Sequence, residues 1–314
     1  MVTPGLFTTV QDLGREGSGP LGVSASGAAD PVAVRLGNRL TGNREGAAVL
    51  EMTLLGGTFL FPEGAGVALT GSDFGATLDG VPVPPWTSIG IAPGQTLAIG
   101  PTRSGARCYL CIAGGVVVKP FLGSASTHVL SRVGGFDGRP LRKGDELRVG
   151  NSNALFKRRT LSPRVLEYLS PRKTLSQKTL RVTSGPQEDW FSESVRRTFY
   201  SSVYRVAEES NRMGLRLEGP ALAPECASGG MITEGASLGA IQIPEGGQPI
   251  ILFVEQQTTG GYPKIANVIS ADLASVGQLR PRDEIRFEWV SLGTAIAALR
   301  EQEALLASEG LIVE

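Results

Sequence analysis

A single histidine, His128, serves a chain of 314 residues. A zinc site built from several histidines is therefore excluded within one chain, and a histidine-dependent triad has only His128 to draw on. Cysteine is scarce too. The three present cannot all pair internally, and nothing in their spacing indicates an oxidising compartment. Cys108 and Cys111 have the spacing of redox and metal motifs, but they lie in Arg107-Cys-Tyr-Leu-Cys-Ile112, which reads as a strand. Alternation puts their sulfurs on opposite faces, so both read as core thiols rather than as a metal or redox pair. Net charge is absent, with thirty basic side chains against thirty acidic ones. A neutral chain has no overall field to steer it to nucleic acid or an anionic membrane. No apolar run nears the ~18 residues of a spanning helix. The longest, Tyr109 to Val118, has ten residues and holds two glycines. Met1-Val-Thr-Pro-Gly5 has no basic stretch leading into an apolar one, so no secretory leader is expected. A soluble, reduced, cytoplasmic protein is the expectation. Neither the P-loop pattern nor a strand-linked Gly-x-Gly-x-x-Gly occurs. A reaction that needs ATP would therefore draw part of its site from another subunit.

Glycine, by contrast, is plentiful at 42 residues, nearly twice the ~7% average. The glycines fall singly and in pairs between short apolar runs, the spacing of many short strands joined by tight turns. Candidate strands are Ala48–Met52, Gly66–Thr70, Thr96–Gly100 and Arg107–Ala113, then Thr179–Thr183, Ile250–Glu255 and Glu284–Val290. The fold class is mainly β with a few helices, a barrel or sandwich. One helix is announced by Asp30-Pro31 as N-cap and first position, by Ala33, Leu36 and Leu40 at helical spacing, and by Gly42 as its stop. Phe191, Val195 and Phe199 predict another from Gln187 to about Tyr200. Asp272 is a candidate cap for a short helix through Gln278, and Gly293–Ser308 is a good helix former with Gly310 just past its end.

Residues 156–181 carry eight basic side chains against the one acid Glu167, interrupted by Pro163 and Pro171. This reads as a solvated basic linker, with a docking patch for an acidic partner as the sharper alternative. The predicted organisation is an N-terminal β-rich lobe over 1–155, a linker over 156–178 and a C-terminal β lobe over 179–314 that ends in a helix.

Polar residues and glycines cluster most densely after the strand Ile250–Val254, in Glu255-Gln-Gln-Thr-Thr-Gly-Gly-Tyr-Pro-Lys264. Glycines let backbone N–H groups approach a substrate oxygen, and Thr258, Thr259 and Lys264 add donors. A plain glycine hairpin is the competing interpretation. In Ser210-Asn-Arg-Met-Gly-Leu-Arg-Leu217, Arg212 or Arg216 has the fork to clamp a carboxylate, unless both are simply solvated. Glu234 and Gln242 add an acid and an amide at strand ends. Gly123-Ser-Ala-Ser-Thr-His128 sets three hydroxyls beside the only histidine, without a nucleophile elbow. A hydroxyl-rich loop contacting an anion fits better than a nucleophile, and His128 itself reads as structural.

These segments have a familiar order. Pro4-Gly-Leu-Phe-Thr-Thr-Val-Gln-Asp-Leu-Gly-Arg15, Ser26-Gly-Ala-Ala-Asp30, Ala113-Gly-Gly115, Gly123-Ser-Ala-Ser-Thr127, Ser210-Asn-Arg-Met-Gly214, Thr233-Glu-Gly235, Ile241-Gln-Ile-Pro244 and Gln257-Thr-Thr-Gly-Gly-Tyr-Pro263 span almost the whole chain. Together they resemble the biotin-dependent carboxyltransferase family, also called allophanate hydrolase subunit 2, whose members include the C-type component of bacterial 5-oxoprolinase and the KipA proteins. The resemblance implies two lobes with cyclophilin-like β-barrel character. It implies a partner of the KipI type (the B-type component of 5-oxoprolinase) and an A-type subunit. The activity implied is ATP-dependent opening of 5-oxo-L-proline to L-glutamate. Two alternatives come with it: carboxyl transfer from carboxybiotin to a urea-like nitrogen, or a KipA-like regulatory role against a kinase inhibitor. The Met-Lys-Met of a biotin carrier is absent from this chain.

Under the resemblance, Lys264, Glu255 and Tyr262 are the expected catalytic groups. Arg212, Thr258, Thr259, Gly260, Gly261 and Gln242 are expected to bind substrate, with Ser124, Ser126, Thr127 and His128 on an opposite wall. Three departures mark this sequence. Ala125 stands where the family has arginine, Glu255 where it has aspartate, and Arg282-Asp283 where it has Gly-Asp.

Overall fold

The computed structural model describes residues 1–151, 157–169, 178–225 and 231–314. Parts of the basic stretch, including Arg172 and Lys173, and also Cys226, lie outside the described residues. The chain divides into two compact units, each mainly β. The first comprises Met1–Arg15, Ser26–Lys173 and Leu305–Glu314, and the second Glu16–Ala25 and Thr174–Ala304. The division at 173/174 falls inside the basic stretch. Two excursions, of residues 16–25 and 305–314, have no compositional signal. Among the described residues no helix is long and apolar enough to cross a membrane.

Unit 1 holds a five-stranded antiparallel sheet in the order Phe7–Gln11, Val49–Thr53, Arg107–Ile112, Ala65–Gly71, Ser88–Ile91. A four-stranded sheet begins with Thr58–Phe61 and Gln95–Ala98. The two share one core, in which Val10, Leu50, Val67 and Leu110 of the first sheet meet Phe59, Phe61 and Leu97 of the second. Alternation explains the sharing, since every second residue of each strand faces the same side. Cys108 lies in this core. Cys111 lies on the other face, beneath the helix Pro31–Thr41, where a Cβ added at Gly37 would collide with its sulfur. The two thiols therefore face apart, as the strand pattern predicts. Burial pushes Cys111 up to about 12 and raises Cys108 as well, so both are inert at neutral pH. The helix starts and stops where its local signals indicate: the Asp30 side chain accepts from Ala33 N, and Gly42 takes a left-handed φ of 77°.

Unit 2 contains a closed seven-stranded barrel. Its order is Lys178–Ser184, Lys264–Val268, Ala240–Gln242, Ile250–Leu252, Gly214–Glu218, Tyr204–Val206 and Glu284–Trp289, returning to the first. One pairing, Lys178–Ser184 with Glu284–Trp289, is parallel. Closure joins the two edges that an open sheet would expose. The predicted helix from Gln187 is split in two. A 3-10 turn, Glu188–Trp190, is followed by a helix, Glu193–Ser201, restarted by the Ser192 cap on Val195 N. Its Phe199 stacks on Phe287 of the barrel at 4.6 Å. Asp272 does not cap the short helix Leu273–Val276 with its side chain. Its carboxylate instead holds Arg181 through both oxygens, a charge-assisted pairing stronger than a cap. The last helix spans Leu292–Leu306, one residue earlier at its start than the composition suggests.

Candidate functional site

The strand Lys264–Val268 begins immediately after Pro263, which has no N–H to donate to a ladder. Gln242 is the cross-strand partner of Lys264, and the register shifts between Ile241 and Gln242. Such irregularities re-aim side chains. Both side chains are buried, with Gln242 and Lys264 each about 1% exposed. The Lys264 ammonium donates to Glu234 Oε1 at 2.6 Å, and the Gln187 amide donates to the same oxygen at 2.9 Å. Gln187 also accepts from the backbone N–H of Lys264 at 3.1 Å. Two donors on one oxygen hold the Glu234 carboxyl below the usual glutamate range, Lys264 being the larger cause.

Glu234 reaches this position on a two-residue ribbon, Glu234–Gly235, paired antiparallel with Thr259–Gly260. The ribbon is closed further by Ala236 N donating to Thr258 O. Gly260 approaches Gln242 closely: an added Cβ would lie 2.6 Å from Gln242 Nε2, so the amide would have to shift. Gln257 Nε2 points to Gln242 Oε1 at 3.5 Å, at the limit of a hydrogen bond. Thr259 and Tyr262 are exposed, with Thr258 and Gly261 partly so. The structure thus brings together Lys264, Gln242 and the 258–262 loop, which residue type singled out. It adds Gln187 and makes Glu234 central. Gln187 follows Gly185-Pro186 just past the strand Lys178–Ser184, and nothing in its local sequence distinguishes it from an ordinary turn residue.

Arg212 and Glu255 are brought together with each other. Arg212 Nε donates to Glu255 Oε1 at 2.5 Å, both side chains are buried, and Glu255 N donates to Arg212 O at 2.8 Å. The arginine that residue type suggests as a substrate clamp therefore has its charge balanced within the chain. The pair fixes the start of the 255–264 loop.

The hydroxyl loop belongs to unit 1, and its groups are engaged within that unit. Ser124 Oγ and Ser126 Oγ both donate to Asp12 Oδ1 at 2.6 Å, and Ala125 N donates to Asp12 Oδ2 at 2.6 Å. Thr127 Oγ1 donates to Val10 O at 2.9 Å. His128 is buried, bridges by backbone to Val133, and accepts from Ser131 N through Nδ1. These are anchoring bonds, and Asp12, their hub, has no signal in the sequence beyond its place in the N-terminal motif. Among the described residues no group of three or more His, Cys, Asp or Glu side chains could hold a metal ion.

Comparison with known proteins matches the family model "Carboxyltransferase domain, subdomain A and B" over residues 21–289. The C-type component of the Escherichia coli K12 5-oxoprolinase is 36% identical over 305 residues, covering 96% of this chain and 94% of that protein. Its Haemophilus influenzae counterpart is 35% identical, covering 98% and 96%. The crystal structure of the K. lactis urea amidolyase superposes with a TM-score of 0.91 and 32% identity, over 100% of this chain and 20% of that one. With the family model spanning both units and near-complete relatives above 30% identity, this chain belongs to the carboxyltransferase-domain family of subdomains A and B.

Proposed function

We propose that this chain is the C-type component of an ATP-dependent 5-oxoprolinase, opening 5-oxo-L-proline to L-glutamate with a KipI-type (B) and an A-type subunit. The observation that carries it is two-way coverage: nearly all of this chain corresponds to nearly all of the C-type components of 5-oxoprolinase. The chemistry of the Lys264 cluster fits. A lactam resists hydrolysis at neutral pH, so activation at the amide oxygen supplies the driving force. Donors for a developing oxyanion then matter more than a histidine base. Lys264 gives the site its positive charge, the 258–262 loop supplies backbone and hydroxyl donors, and the Arg212–Glu255 pair positions that loop. ATP enters as a co-substrate at a site to which the partner subunits contribute, consistent with the missing phosphate motifs. In this reading the complex works in the cytoplasm, where ATP is supplied.

The test is ATP hydrolysis by the assembled three-subunit complex with and without 5-oxo-L-proline. Stimulation with stoichiometric glutamate is expected. Lys264→Ala should lower turnover by about a hundredfold at limiting substrate, the scale of truncating one partner of a buried charged contact, in a complex that still assembles. Absence of stimulation in a properly assembled complex would overturn the reading. Carboxyl transfer is the second reading, favoured by the family model and the similarity to urea amidolyase. It requires a separate biotin-carrying protein, so a biotinylated protein co-purifying with this chain is its discriminating result.

A further inference from the structure

The Lys264 cluster already holds a carboxylate, and that carboxylate belongs to the chain itself. Three features set the Glu234–Lys264 pair apart from an ordinary structural ion pair. The first is asymmetry. The Lys264 side chain is 2% exposed and that of Glu234 is 42% exposed. A buried ammonium cannot give up its counter-ion without heavy cost, whereas a half-exposed glutamate loses little by turning to water. The second is a further donor. Gln242 Nε2 is buried and has no hydrogen-bond partner among the described residues. Leaving such a group unpaired carries a desolvation cost that a bound acceptor would relieve. It sits against Gly260, the backbone partner of Glu234, and Gln242 is itself the cross-strand partner of Lys264. The third is mobility without damage. Glu234 lies on the two-residue ribbon outside the closed barrel, so its side chain can move while the barrel ladder stays intact.

We propose that Lys264, Gln187 and Gln242 form a receptor for a substrate carboxylate, with Glu234 as its exchangeable internal occupant. On binding, the substrate carboxylate takes the Lys264 ammonium and the Gln187 amide, and the Glu234 side chain turns outward. The receptor is sized for a carboxylate because it now holds one. This assignment moves the carboxylate clamp from Arg212, which Glu255 already neutralises, to Lys264. It rests on the proposed function, in which the substrate is a lactam bearing one carboxylate.

The test is calorimetric titration of the assembled complex with 5-oxo-L-proline and with 2-pyrrolidinone, the same lactam lacking the carboxylate. Thermal unfolding is followed alongside. Removing the charge of the competing occupant in Glu234→Gln should tighten 5-oxo-L-proline binding by about tenfold, because a neutral amide holds the Lys264 ammonium less strongly than the substrate carboxylate does. Binding of 2-pyrrolidinone should be unaffected by the same change. Lys264→Met should abolish 5-oxo-L-proline binding, and Gly260→Ala should weaken it by crowding Gln242. A folded Glu234→Gln complex that binds no tighter than the native one overturns the proposal. Should Glu234→Gln fail to fold, Glu234→Asp shortens the reach by one methylene while keeping the charge. Tighter binding is expected there too, and equal or weaker binding overturns the proposal. Lys264-dependent binding of another small carboxylate, tightened by Glu234→Gln, without 5-oxo-L-proline turnover supports the receptor and sinks the 5-oxoprolinase reading. Turnover of 5-oxo-L-proline with affinity indifferent to both variants sinks the receptor alone.

Discussion

Four donors converge on the Asp12 carboxylate: Gly14 N at 2.8 Å, and Ser124 Oγ, Ser126 Oγ and Ala125 N at 2.6 Å. Ser124 and Ser126 are fully buried, so these hydroxyls cannot turn to water if the acceptor is lost. Asp12→Ala should therefore destabilise the protein by about 3 kcal/mol or more, read as a lowered denaturant midpoint, with the 121–128 loop becoming protease-sensitive. Glu234 behaves differently because it is half-exposed. Its folded-state pKa is depressed by Lys264 and Gln187. A depressed value means its stabilising contribution is complete above the ordinary carboxylate range and fades as pH falls through the folded-state value. The native protein should thus melt above Glu234→Gln at pH 7, where the variant leaves Lys264 without its counter-ion. The gap in Tm should shrink as pH is lowered below about 4. A gap constant down to pH 3 would show that the ion pair is not its source.

At the scale of the element, the turn before the last barrel strand carries a visible cost. Arg282 adopts φ 71°, the left-handed region that suits glycine, where the resemblance leads one to expect glycine. The turn is closed by Arg282 N donating to Val206 O and by Asp283 accepting from Arg280 N and Lys178 Nζ. The Arg282 side chain is largely exposed and pairs with Glu208 at 2.7 Å, an interaction of little net value at the surface. Arg282→Gly should stabilise unit 2 by a few tenths to about 1 kcal/mol, measured by chemical denaturation. Unchanged or lower stability would mean that the Glu208 contact outweighs the backbone strain. The first helix is the opposite case, since Asp30, Pro31 and Gly42 all agree with its geometry.

At the scale of the whole molecule, the chain ends where it began, in unit 1. Ile312–Val313 pairs with Thr160–Leu161, Ser162 N donates to Leu311 O, and Leu311 is 1% exposed. Glu314 adds ion pairs to Lys157 and Arg159, and these hold its carboxyl below the usual range. The described part of the basic stretch is therefore structured: Thr160–Leu161 is a strand and Pro163–Leu169 a helix. Deleting Leu311–Glu314 removes a buried leucine and a strand partner together. The expected loss is about 3 kcal/mol in unit 1, while the unit 2 barrel retains its own transition. Two-stage unfolding in the truncated chain, against a later first stage in the full one, is the readout.

The sequence by itself determined what depends on near neighbours. The helix Pro31–Thr41 was legible because cap, first-turn proline and stop lie within a dozen residues of one another. The opposite faces of Cys108 and Cys111 follow from strand alternation, and the dense 255–264 segment was legible as the connection that leaves the strand Ile250–Leu252. Composition and spacing also pointed to a β-rich chain, and ordered motifs pointed to its family. Tertiary structure alone decided which charges meet. Glu234 and Lys264 are 30 residues apart, Arg212 and Glu255 are 43 apart, and Asp12 and Ser124 are 112 apart. Each pairing follows from barrel closure, strand register or the return of a loop to an N-terminal strand. Those are properties of the whole chain: a register shift of one residue in the strand Lys264–Val268 would by itself turn Lys264 to the other face of the barrel wall.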